Sequence, residues 1–91
     1  MPARGTLLTV YAGHTERVSA VGWSPDGHCV ASSSWDKTVH VWEAVSGRTT
    51  YIYRGHAQSL YDFVEAVAWS PDGSRIVSGN EDHTAHIWTF A

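Results

Sequence analysis

His14, Ser32 and Asp36 are the residue types of an acyl-transfer triad: a hydroxyl nucleophile, an imidazole to take its proton, and a carboxylate to orient the imidazole. His56, Ser78 and Asp82 supply the same set a second time. The 6 histidines also raise metal binding, because His40 and His86 occupy matching positions in two similar runs. No Cys/His group has zinc spacing, however, so no metal site is expected. Gly13, Gly27 and Gly73 each stand singly at turns, which leaves no glycine-rich loop to cradle a phosphate. Asp26 and Asp72 are turn residues rather than a coupled acid and base. No cofactor is implied.

The elements that must position these groups come as a duplicated pattern. Gly13-His14 returns as Gly55-His56, Ser24-Pro25-Asp26-Gly27 as Ser70-Pro71-Asp72-Gly73, and Val39-His40-Val41-Trp42 as Ala85-His86-Ile87-Trp88. The offset is 42 residues at the Gly-His pairs and 46 at Trp23/Trp69 and Trp42/Trp88, so four residues are inserted between His56 and Val67. Length changes of this kind mark a surface loop, here Ala57 to Glu65. Val18–Trp23 and Ala66–Trp69 are β-rich and run into Ser-Pro-Asp-Gly, where Pro presets φ, Asp fits the next turn position and Gly accepts a positive φ. His28–Ser33, Thr38–Trp42 and Thr49–Tyr53 follow, as do Arg75–Gly79 and Thr84–Trp88 in the second copy. No stretch keeps a helical period, so the expected class is all-β. Aligned on Gly-His, Leu7–Tyr11 matches Thr49–Tyr53, and the strand order becomes fourth, first, second, third, fourth, first, second, third.

Bulk properties narrow the function classes. With 91 residues, 43% hydrophobic and 16% charged, the chain has room for one small globular unit. A net charge of −3 and the lack of any basic run argue against nucleic acid and anionic membrane surfaces as partners. Cys29 stands alone, which rules out an intrachain disulfide and suits the cytoplasm. The apolar runs are too short for a signal peptide or a spanning helix.

The ordered, duplicated set of Gly-His, Ser-Pro-Asp-Gly, small-residue run, turn Asp and Trp-ending strand resembles two WD repeats, the blades of WD-repeat β-propellers. The likeness covers about Leu7 to Trp88, as one unit over 1–91: an outer strand at about 7–11, a first repeat at about 12–53 and a second at about 54–88. The dipeptide that gives the family its name has lost its aspartate in both copies: Trp42 is followed by Glu43, a mild change that keeps a carboxylate, and Trp88 by Thr89. The resemblance implies that the triads are structural: His14, Ser32, Asp36 and Trp42 form one hydrogen-bonded network, and His56, Ser78, Asp82 and Trp88 another. Buried polar groups of these types need partners, and a linked chain satisfies them together. No catalytic residue, and hence no enzyme, is expected.

Two four-stranded antiparallel blades cannot cover their own faces, and repeat arrays need about three units or more. The expected solution is a homo-oligomer in which Leu7, Leu8, Thr9, Val10 and Tyr11 of one copy complete the second blade of the next by strand exchange, closing a full propeller. Four copies and eight blades are favoured, with three copies and six blades second. By resemblance the ring is a scaffold for protein or peptide ligands, on a face carrying Arg17, Trp35, Leu60, Tyr61, Phe63 and Glu81, with Trp35 in an exposed turn. A small-ligand or metal-binding propeller, or a designed or minimal propeller with no dedicated partner, are the alternatives.

Overall fold

Strand-forming runs become strands where the sequence alternates apolar and small residues between tight turns. The computed structural model describes residues 3–58 and 63–90. Strands β1 (Val18–Trp23), β2 (Cys29–Ser34), β3 (Val39–Glu43) and β4 (Thr49–Tyr53) form one antiparallel meander in the order β1-β2-β3-β4. Strands β5 (Val64–Trp69), β6 (Arg75–Asn80) and β7 (Ala85–Thr89) form a second, in the order β5-β6-β7. A short 3₁₀ turn, Gly55–Gln58, joins the two sheets. The chain thus holds one sheet of four strands and one of three, and among the described residues the outer edge of β7 has no neighbour.

The two Ser-Pro-Asp-Gly turns are built alike. Gly27 N–H donates to Ser24 C=O at 2.9 Å and Gly73 N–H to Ser70 C=O at 3.0 Å, with φ of 75° and 76° at the glycines. Asp26 Oδ1 accepts from Ser24 Oγ (2.6 Å) and His28 N (3.0 Å), and Asp72 Oδ1 from Ser70 Oγ (2.7 Å) and Ser74 N (3.0 Å). These bonds hold both carboxyls below the usual range, Asp72 at about 2, with the Ser74 N–H as the largest cause there.

β1/β2 and β5/β6 have the same register, including a bulge after their first pair, Val18↔Ser34 and Val64↔Asn80. The 46-residue equivalence therefore already holds at Val64, and β5 begins two residues earlier than the expected Ala66 start. Val64 is fully buried in the core with Ala31, Val39, Val41, Ile76 and Trp88, which draws it out of the loop assigned to Ala57–Glu65.

The core lies between the sheets. Ala31 and Val41 face inward with no exposure, and Val67 and Trp69 pack against that cluster. Trp69 Nε1 donates across the gap to Gly22 C=O at 3.0 Å, and Ser19 Oγ to Val64 C=O at 2.6 Å. The outward faces lack such cover: Val21 is 62% and Trp23 63% exposed on the first sheet, Val77 37% and Ile87 72% on the second.

Leu7–Tyr11 is not part of either sheet. Thr9 Oγ1 donates to Ala44 C=O at 2.6 Å, while Leu7, Leu8 and Val10 are exposed.

Candidate interaction site and its hydrogen-bond networks

In the first sheet, Trp42 Nε1 lies 3.1 Å from Ser32 Oγ, Ser32 Oγ 2.7 Å from His14 Nε2, and His14 Nδ1 2.8 Å from Asp36 Oδ2. An indole N–H can only donate, so the chain runs one way: Trp42 donates to Ser32, Ser32 to His14 Nε2, and His14 Nδ1–H to Asp36. Asp36 is held further by Thr15 N–H (3.2 Å), Thr38 N–H (3.0 Å) and the Thr38 hydroxyl. Burial pushes the Asp36 carboxyl up, but the bonds from Thr38, His14 and Thr15 outweigh it and keep it below the usual range.

His14, Ser32 and Asp36 have the spacing of a catalytic triad, yet Ser32 is 2% exposed and its oxygen already receives the Trp42 indole. No face of that hydroxyl is open to a carbonyl carbon. The cross-links join the strands and loops of one sheet.

Sequence reasoning missed four members of these networks. Tyr11 stacks on Trp42 with ring centroids 4.6 Å apart and planes at 1°, and its hydroxyl lies 2.7 Å from both His40 Nδ1 and Thr49 Oγ1. His40 in turn stacks on His14 at 3.9 Å. The second sheet repeats this: Tyr53 stacks on Trp88 at 4.4 Å and 2°, its hydroxyl lies 2.7 Å from His86 Nδ1, and His86 stacks on His56 at 3.9 Å. His40 is 5% exposed, and burial first, then the neighbouring His14, pulls its pKa down to about 4. The signal was available in the matched spacing of Tyr11/Tyr53 and His40/His86. The glycine of each Gly-His pair follows from the tyrosine, since a Cβ at Gly13 would lie 2.3 Å from the Tyr11 hydroxyl oxygen and one at Gly55 2.1 Å from that of Tyr53.

His14, Asp36 and His40 bring three donor atoms within 4.8 Å of one another. Both nitrogens of His14 and Nδ1 of His40 are already hydrogen-bonded, and stacked rings direct their in-plane lone pairs side by side rather than at one point.

The second network is incomplete. His56 Nε2 lies 2.7 Å from Ser78 Oγ, which accepts from Trp88 Nε1 at 3.0 Å. His56 Nδ1 is buried with no partner, so the expected link from His56 to Asp82 is not formed. Asp82 is exposed and bonds instead to Thr84 N–H at 2.9 Å and to the Thr84 hydroxyl. The local backbone explains the difference. Thr15 N–H anchors Asp36, whereas the N–H of its counterpart Ala57 is spent on Arg54 C=O at 3.0 Å inside the 3₁₀ turn. Both polar side-chain atoms of Asn80 are buried without a well-formed hydrogen bond, although the Thr84 hydroxyl first, and then nearby Asn80, help hold the Asp82 carboxyl below the usual range. His56 is driven to a pKa of about 4 by burial and the neighbouring His86.

Of the expected partner-binding face, Arg17, Trp35 and Phe63 come together. The Arg17 guanidinium carbon sits 4.3 Å over the Trp35 ring, and Trp35 stacks on Phe63 at 4.6 Å and 12°. Trp35, expected in an exposed turn, is half-buried by this stack. Glu81 bonds the backbone of Phe63: its own N–H reaches Phe63 C=O at 3.2 Å and its Oε1 accepts from Phe63 N–H at 3.2 Å. Leu60 and Tyr61 lie outside the described residues.

The profile of the WD domain, G-beta repeat family matches residues 5–43 and 47–89, and the chain belongs to that family. It is 39% identical over 59 residues to the peroxisomal targeting signal 2 receptor of Mus musculus, covering 63% of this chain and 19% of the receptor. It is 43% identical over 44 residues to a Notchless protein homolog of Arabidopsis thaliana (48% of this chain, 9% of that protein). Over 39 residues it is 46% identical to guanine nucleotide-binding protein subunit beta-5b of Danio rerio (43% of this chain, 10% of that protein). The chain spans less than a fifth of the length of each. The two sheets are therefore two WD blades, the second lacking its outer strand among the described residues.

Proposed function

We propose that this chain is a non-enzymatic interaction module that joins head-to-tail with further copies of itself into a closed propeller and offers the ring's loop face to protein or peptide partners. The observation that carries the reading is that Tyr11 meets Trp42 and His40 in the geometry in which Tyr53 meets Trp88 and His86. Tyr53 ends β4, the outer strand of the blade before the one it packs on. By the same relation, Leu7–Tyr11 is the outer strand of a blade preceding the first, and the free edge of β7 is the edge it fits. β4 pairs with β3 through Val39↔Tyr53, His40↔Ile52, Val41↔Tyr51 and Trp42↔Thr49. Carried across the seam, the pairs are Ala85 with Tyr11, His86 with Val10, Ile87 with Thr9 and Trp88 with Leu7 of the next copy.

Pairing of this kind removes an open sheet edge and covers the exposed Val21, Trp23, Val77 and Ile87. The contact is head-to-tail, so it closes only where the rotation divides the circle, with four copies favoured over three. The burial of Ser32 supports a role without catalysis. The receptor relative, by its name, recognises a targeting signal, which supports a peptide or protein as the partner class. Unpaired Cys29 fits a cytoplasmic setting. Light scattering tests the assembly: at 10.0 kDa per chain, four copies give about 40 kDa and three about 30 kDa. Deleting residues 1–11 is expected to leave monomers, and an undeleted chain that stays monomeric contradicts the reading.

A further inference from the structure

The internal junction between the two blades is a template for the junction between copies, and it assigns contacts to residues without a cross-blade counterpart in one chain. Along the loop face, Arg17 and Trp35 are joined by a backbone bond (Trp35 N–H to Arg17 C=O, 2.9 Å), as Phe63 and Glu81 are by theirs (3.2 Å). Arg17 therefore corresponds to Phe63 and Trp35 to Glu81. Between the blades, Trp35 of the first stacks on Phe63 of the second. The same step taken from the second blade of one copy to the first blade of the next sets Glu81 against Arg17.

We propose that Glu81 and Arg17 of neighbouring copies form an ion pair at the seam and that this pair determines the head-to-tail match. The inference rests on the assembly reading above. The belt then runs Arg17, Trp35, Phe63, Glu81 and on to Arg17 of the next copy: an aromatic stack inside the chain and opposite charges between chains. Arg17 is already held by Trp35, and Glu81 by the Phe63 amide, so both side chains are ordered before they meet. The same template extends along the seam: Trp69, whose indole reaches Gly22 C=O within the chain, corresponds to Trp23, which sets the Trp23 indole against Ala68 C=O of the neighbouring copy. Trp23 is 63% exposed in one chain, and the seam would cover it. Opposite charges at this spot favour this register.

Charge reversal tests the pair. Wild type, Arg17→Glu, Glu81→Arg and an equal mixture of the two variants are compared by light scattering across concentration, with circular dichroism to follow folding. Each variant alone sets like charge against like at every seam, and the concentration for half-assembly is expected to rise about tenfold or more. In the mixture every seam between unlike chains has opposite charges, so assembly returns near the wild-type concentration. Such a ring must alternate and so needs an even number of copies, which gives about 40 kDa. Wild type that assembles while the variants assemble unchanged, or variants that weaken and are rescued neither by mixing nor, at any copy number, by combining Arg17→Glu with Glu81→Arg in one chain, overturns the seam pair and leaves the assembly reading standing. Wild type that never assembles overturns both.

Discussion

Tyr11 lies flat on Trp42, with centroids 4.6 Å apart and planes at 1°, so a segment outside both sheets is tied to the indole at the centre of the first blade. The stack does two jobs. It covers Trp42 as Tyr53 covers Trp88, and it holds Leu7–Tyr11 against the first blade with its apolar residues exposed. Tyr11→Phe keeps the ring and loses the bonds to His40 and Thr49, an expected cost of about 1–2 kcal/mol in denaturant unfolding. Tyr11→Ala loses the stack too and is expected to cost more and to prevent assembly.

The two networks differ in completeness, and their mutants should differ with them. Asp36→Ala strands the buried His14 Nδ1–H and the Thr15 amide, for an expected loss of about 2–3 kcal/mol. Asp82→Ala removes an exposed turn carboxylate that does not reach His56, so a smaller loss than at Asp36 is expected. Equal losses at the two positions in thermal or urea unfolding would contradict the asymmetry.

Asn80 stands where the first blade has Ser34, whose hydroxyl donates to Arg17 C=O at 2.9 Å. Asn80→Ser removes two buried atoms that lack a well-formed hydrogen bond and supplies a donor for the Phe63 carbonyl. A gain of about 1–2 kcal/mol is expected, read as a raised midpoint in denaturant unfolding.

His40 and His56 are both held at a pKa of about 4, mainly by burial, so both are neutral in the folded chain where an unfolded chain would protonate them. Between about 6.5 and 4 the unfolded state binds more protons. Stability therefore falls as pH falls through that window, by up to about 1.4 kcal/mol per pH unit for each histidine. The lowered Asp36 carboxyl acts in the same direction at lower pH, because its contribution is lost as pH drops through its folded value. His40→Gln should flatten the slope of melting temperature against pH.

Strand order was legible because each strand is short, ends at a turn with its own chemistry and occurs twice. The start of β5 was not: Val64 follows an insertion with no counterpart in the first copy, and only its burial draws it into the sheet. Matched positions could have revealed that Tyr11 and His40 join the networks, but the stacks of Tyr11 on Trp42 and of His40 on His14 depend on tertiary packing. Asp82 shows the opposite error. Its residue type and spacing match Asp36, yet the anchoring amide is consumed by the 3₁₀ turn at Gly55–Gln58, which periodicity does not reveal.

Strand exchange is tested most directly by a cross-link across the seam. In a Cys29→Ser background, Thr9→Cys and Ile87→Cys replace the two residues that face each other between copies in the proposed register, as Tyr51 and Val41 do within one chain. Mild oxidation followed by non-reducing electrophoresis is expected to give covalent multiples ending at four chains, with each single-cysteine control remaining a monomer. A doubly substituted chain that folds and oxidises yet runs only as a monomer would contradict head-to-tail closure.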